Sequence, residues 1–217
     1  MKQKNNITEI VFIIDKSGSM SGLELDTIGG FNSTVERQRK KAGKAYVSTV
    51  LFNDKSTVIH DRVSINDVKP MTEQDYCVGG CTALFDAVGD AIHHIGNIHK
   101  YARREDVPEH TIFVITTDGM ENASHRYDRK AIKAKIERQK EKYGWEFIFL
   151  GANIDSAEVA EGIGIDRRRA VNYNQDSRGV RASYDAMECA ISAMRMCESL
   201  DDEDWKQSIF DDNKSRK

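Results

Sequence analysis

The chain has 217 residues, 39% of them hydrophobic and 31% charged, with a formal net charge of −3. That length suits one domain with a well-buried core and is short for two, and the charge excludes a whole-chain basic footprint for nucleic acid. No apolar run approaches the roughly 20 residues of a membrane-spanning helix, and the run Ile10 to Ile14 is too short for a signal peptide. The expectation is a cytoplasmic protein with no nucleic-acid and no membrane partner.

Ile10 to Ile14 is a continuous β-branched and aromatic run ending at Asp15. It reads as a strand buried on both faces, the habit of a parallel sheet. Helical spacing follows from Gly22 to about Lys40, with Leu25, Ile28, Phe31 and Val35 at three- and four-residue steps. Ala45 to Phe52 and Ser56 to Val63 are two strands joined by the short turn Asn53-Asp54-Lys55, a hairpin. Leu84, Val88, Ile92, Ile95 and Ile98 mark a second helix ending near Tyr101.

Thr111 to Thr117 is another buried strand, ending at Asp118, and Arg129 to Lys142 is a charged surface helix expected to be laced with ion pairs. Trp145 to Leu150 reads as a strand, Ser156 to Ile163 as a short helix, Ala170 to Tyr173 as a short strand and Val180 to Leu200 as the last helix. Strands alternating with helices predict a three-layer, doubly wound α/β domain. Its central sheet would have about six strands, mostly parallel, with one antiparallel edge strand and helices on both faces. The domain is expected over residues 1–200. Residues 201–217 read as an acidic, aromatic tail, frayed or loosely docked.

Three loops should gather at one edge of this sheet, where ligands of open α/β sheets bind. They are Asp15-Lys16-Ser17-Gly18-Ser19, Gly79-Gly80-Cys81-Thr82 and Thr117-Asp118-Gly119. Asp15 and Asp118 offer carboxylates, and Ser17, Ser19 and Thr82 offer hydroxyls. An all-oxygen set suits a hard cation such as Mg²⁺ or Mn²⁺, with Ca²⁺ as a further candidate. Two carboxylates balance a divalent ion formally, so the ion stays receptive to an incoming acid. The competing reading makes Ser17 and Ser19 helix caps and the aspartates turn residues.

D-x-S-x-S after a buried strand, then Thr in G-G-x-T, then Asp in T-D-G resembles the metal-ion-dependent adhesion site of von Willebrand factor A (vWA) domains. The likeness covers roughly residues 7–200 in motif and element order. It implies that Ser17, Ser19 and Thr82 approach the metal directly or nearly so, and that Asp15 and Asp118 act largely through water. Cys81 departs from the pattern, standing where many relatives carry a small hydroxyl residue. The resemblance further implies a metal-dependent protein-binding module of the stand-alone prokaryotic or phage type, gripping a partner's Asp or Glu. Such a chain would be monomeric or weakly self-associating.

Two alternatives belong to other classes. A phosphatase or phosphotransferase could use Asp15 as nucleophile, but D-K-S lacks the second acid two residues on that haloacid dehalogenase-like phosphatases use, and no Walker loop is present. A scaffold could ignore the metal. The expectation is therefore a non-enzyme. Among the other residues, Asp86, one helical turn beyond Thr82, reads as either an outer acceptor of the metal site or support for the helix N-terminus. Glu121 and Asn122 could shape the partner surface. His93, His94 and His99 read as a solvated helix face, and Arg167-Arg168-Arg169 as a solvated loop. Cys77, Cys81, Cys189 and Cys197 read as free thiols, the last two buried on a helix.

Overall fold

Residues 7–15 form β1 (Ile7–Asp15), and all nine are buried because this strand lies inside the sheet with both faces covered. The computed structural model describes residues 6–198 and 200–216. After β1 come α1 (Glu24–Arg39), β2 (Lys44–Phe52), β3 (Ser56–Ser64), α2 (Leu84–Tyr101), β4 (His110–Thr117) and α3 (Arg129–Tyr143). The chain continues through β5 (Glu146–Gly151), α4 (Ser156–Gly162), β6 (Ala170–Asn172), α5 (Ser177–Arg195) and α6 (Gln207–Lys214). The expected six-stranded sheet is present, in the order β3-β2-β1-β4-β5-β6. Every pairing is parallel except β2 with β3, the antiparallel edge. The order reverses between β1 and β4, so their carboxyl ends flank the switch-point crevice of a doubly wound sheet.

Successive side chains of a strand point to opposite faces, and β1 shows the consequence. Ile10, Phe12 and Ile14 pack with Phe31 of α1 and Met187 and Ile191 of α5. Val11 and Ile13 pack with Val88 and Ile92 of α2, Ile132 and Ile136 of α3 and Ala160 of α4. Phe113 of β4 stacks against Trp145 and Phe147, with centroids 5.1 and 5.0 Å away. On the other face α1 and α5 approach closely. A methyl on Gly30 would fall 2.3 Å from Cδ2 of Tyr184, so this position of α1 takes only glycine.

Several expectations need correction. Leu25 has helical spacing but is 69% exposed, because the buried stripe of α1 is narrower than its apolar pattern. The last helix begins at Ser177, capped by the Asp176 carboxylate accepting from Gly179 N, and ends at Arg195. Cys189 and Cys197, expected to be buried, are exposed, as are the free thiols of Cys77 and Cys81. The ion pairs within α3 reduce to Lys133 with Glu137 at 3.9 Å among the described residues. His99 is not on a solvated face: its ring meets Trp145 edge-on, and its Nε2 lies 3.5 Å from the buried carboxylate of Glu9. Arg167 and Arg168 are exposed, as expected of a solvated loop, whereas Arg169 is held within the chain by Glu146 and Asp201.

The stretch after residue 200 is packed rather than frayed. Leu200, Trp205 and Ile209 join the core under α1 and α5, the last two at the four-residue spacing that puts side chains on one helix face. No helix among the described residues is long and apolar enough to cross a membrane.

Candidate metal centre

Asp15 is delivered by the end of β1 and held at both oxygens. Its Oδ1 accepts from Ser17 N at 2.7 Å, an Asx-type turn, and its Oδ2 accepts from Thr117 Oγ1 at 2.6 Å. Tyr76 Oη donates to the Asp15 carbonyl at 2.5 Å, fixing the strand end from below. The first loop is joined to the glycine loop by Gly18 N to Gly80 O at 3.0 Å and Gly79 N to Lys16 O at 2.9 Å. Gly80 sits at φ +80°, and a Cβ there would fall 2.1 Å from Asp54 Oδ2. Only glycine takes that conformation against that carboxylate; Asp54 Oδ1 meanwhile accepts from Cys81 N at 2.9 Å.

Thr82 is fixed by exchange with Asn122: Thr82 N donates to Asn122 Oδ1 at 2.9 Å, and Asn122 N donates to the Thr82 carbonyl at 3.1 Å. Glu121 Oε2 accepts from Phe85 N at 2.9 Å, capping the start of α2. Asp86 accepts from the main-chain N–H groups of His125, Arg126 and Tyr127. Glu121, Asn122 and Asp86 therefore tie the β4–α3 loop to α2. Of the two roles open to Asp86, support of the helix N-terminus is the one met, since it stands in the first turn of α2, and its carboxylate also serves that loop.

The five expected residues do come to one patch. Ser17 Oγ and Ser19 Oγ are 3.1 Å apart, and Ser19 Oγ donates to Asp118 Oδ1 at 2.6 Å. Ser19 Oγ and Thr82 Oγ1 both lie 3.7 Å from the point where a methyl on Gly119 would project. Asp15, Ser17, Thr82 and Asp118 are buried, and Ser19 is exposed, which marks the mouth of the site. A residue with no sequence signal also reaches in. Gln175, on the loop from β6 to α5, donates from Nε2 to Asp118 Oδ2 at 2.6 Å and to the Ser19 carbonyl at 2.7 Å.

Burial pushes the carboxyl of Asp15 up from its ordinary value, and the neighbouring Asp118 adds to the rise against the hydrogen bonds from Thr117 and Ser17. Asp118 is raised by burial too, with Ser19 and Gln175 pulling the other way. No Lys, Arg or His forms an ion pair with either among the described residues. Two desolvated carboxylates in one patch without a counter-charge are costly. A divalent cation would supply that charge, and the donor set, two carboxylates and three hydroxyls, has the hard-oxygen chemistry such an ion takes. Among the described residues no group of three or more His, Cys, Asp or Glu side chains is placed to hold a metal ion.

No protein-family model matches the sequence, and a search of curated proteins finds no relative. Solved structures do resemble the chain. The PilB minor pilin of Streptococcus sanguinis, as its D319A mutant, superposes with a TM-score of 0.59 at 11% identity, over 92% of this chain and 64% of that one. Proximal thread matrix protein 1 from the mussel byssus gives 0.55 at 17% identity, over 84% and 45%. The conserved hypothetical protein BatB from Bacteroides thetaiotaomicron gives 0.52 at 14% identity, over 86% and 99%. The chain thus spans roughly half to two thirds of the first two and nearly all of the third. Taken with the strand order and the two helical layers, these likenesses show that the chain has a vWA-like α/β fold.

Proposed function

We propose that this protein is a metal-ion-dependent protein-binding module of the adhesion or adaptor type, acting in the cytoplasm and not as an enzyme. One observation carries the reading: the carboxylates of Asp15 and Asp118 are buried at one patch with Ser17, Ser19 and Thr82, and neither forms an ion pair with a basic side chain among the described residues. In this reading the five side chains hold one Mg²⁺, or Mn²⁺ or Ca²⁺, directly or through water. When bound, the ion supplies Lewis acidity. The Ser19 hydroxyl already gives its proton to Asp118, so its lone pairs are left for a cation. Two carboxylates neutralise a dication without excess, so an acidic side chain of a partner protein would still be attracted to the remaining position.

The reading of Asp15 as a phosphotransfer nucleophile is less well supported. Both of its oxygens are occupied by Ser17 N and Thr117 Oγ1, and it is 1% exposed.

Capture from native lysate tests the proposal. The wild type with Mg²⁺ is expected to retain a protein that is lost with EDTA and lost in the Asp15→Ala, Ser17→Ala, Ser19→Ala variant. Equal retention in all lanes would leave a metal-independent scaffold as the better account.

A further inference from the structure

On the face of the sheet that carries α1 and α5, the two helices leave an open groove lined by Gly29, Gly30 and Tyr184. The two glycines differ. Gly30 is dictated by Tyr184, whose ring would collide with a methyl there, whereas a methyl on Gly29 would meet nothing within 4 Å. Glycine is a poor helix residue, so the chain's own packing gives no reason for Gly29. Ser33, one turn further on, is exposed as well. At the rim Leu25 is 69% exposed, a large apolar side chain left in water at the start of α1. The low profile of Gly29 and Ser33 lets another backbone approach α1 closely.

The charges around the groove choose its occupant. At one end Asp26 of α1 pairs with Arg181 of α5 at 3.2 Å, and at the other Arg37 of α1 pairs with Asp185 of α5 at 2.7 Å. The sense of the pair is thus reversed from end to end. Asp26 and Arg37 stand three helical turns apart, so they project from one face of α1 at a separation of roughly 16 Å. A two-fold axis between Gly29 and Ser33 lays the α1 of a second copy antiparallel on the first. Asp26 then meets Arg37 of the second copy at one end, and Arg37 meets its Asp26 at the other, the reciprocal contact that a two-fold interface requires. Each end gathers two carboxylates and two guanidiniums. A uniformly acidic or basic partner would instead set half of these groups against like charge. We propose that this groove is a homodimer interface, with the α1 helices of two copies packed antiparallel about that axis and Leu25 covered at each end.

The test is sedimentation velocity of the full-length protein from micromolar to millimolar concentration, in EDTA so that the outcome is independent of any metal. Wild type is expected to pass from monomer to dimer across that range. Asp26→Arg and Arg37→Asp each set like charges together across the axis, and each should weaken the dimer by roughly tenfold or more. The double variant restores opposite charges across the axis and should recover most of the wild-type affinity. It spoils both pairs within one chain, so its recovery can come only from a second copy. Gly29→Gln, which the open space admits within one chain, should keep the fold by circular dichroism and leave the protein monomeric. Wild type that stays monomeric throughout would overturn the inference and leave the groove to a different occupant. A dimer that Gly29→Gln leaves intact, or that the folded double variant fails to recover, would overturn it too, since another face would then join the copies.

Discussion

Asp118→Asn is expected to stabilise the metal-free protein and to abolish its response to Mg²⁺. Burial raises the Asp118 carboxyl from its ordinary value, and burial together with the neighbouring Asp118 raises that of Asp15. A carboxyl raised in the folded state binds protons more tightly there than when unfolded. The associated stability is therefore present at low pH and lost as pH rises through the folded value. At neutral pH the wild type carries the full cost, and asparagine removes it while keeping an oxygen for the Ser19 hydroxyl, a gain that exceeds the loss of the single Gln175 hydrogen bond on the other side. Metal does the same for the wild type. At a hundred times the dissociation constant, linkage adds about 2.7 kcal/mol, which for a chain of this size is roughly 5–10 °C in Tm. Thermal unfolding with EDTA and with saturating Mg²⁺ checks both halves. Wild type minus variant is the quantity to follow with pH, because Asp86, Asp166 and Asp176 are shifted the other way, mainly by hydrogen bonds. In EDTA that difference should turn against the wild type as pH climbs above 3.8, the ordinary carboxyl value. A metal-free variant less stable than the wild type at neutral pH would contradict the electrostatic account.

The second large effect lies far from the motif. Trp205 and Ile209 are 4% and 1% exposed and belong to the core beneath α1 and α5. Trp205→Ala is expected to cost roughly 3–5 kcal/mol, the range for emptying a buried aromatic site. That corresponds to a fall of roughly 6–20 °C in Tm. Truncation after Leu200 should cost at least as much, since it removes both side chains and the Asp212 and Arg216 braces on the loop that carries Gln175. Phe210→Ala is the control: this side chain is 46% exposed and should change stability by only about 0.5 kcal/mol. Denaturation of the three variants decides it. A truncated chain as stable as the whole would mean that the segment docks without contributing.

These two results divide what the sequence could and could not reveal. The sheet was legible because its inner strands are buried on both faces and carry unbroken apolar runs, as in Ile10 to Ile14 and Ile112 to Ile115. The patch of Asp15, Ser17, Ser19, Thr82 and Asp118 was legible because each residue sits next to a strand end or helix start, so chain position predicts spatial position. Gln175 was not, because its side chain reaches Asp118 through space from a loop 57 residues away, and no spacing marks it. Asp86 stands in the first turn of α2 as its offset from Thr82 predicts, but that offset says nothing about the β4–α3 loop whose N–H groups it accepts from. The packing of Trp205 and Ile209 was hidden by flanking acids, which made an amphipathic helix look like a solvated tail. Leu25 failed in the opposite direction: helical spacing gives the direction of a buried stripe but not its width.

The central claim is that the three loops hold one divalent cation, and calorimetric titration of Mn²⁺ into the full-length protein tests it most directly. The account predicts one saturable site per chain in the wild type, competed by Mg²⁺ and absent from the Asp15→Ala, Ser17→Ala, Ser19→Ala variant with its fold intact by circular dichroism. No binding by the wild type, or the same isotherm from the folded variant, would contradict it.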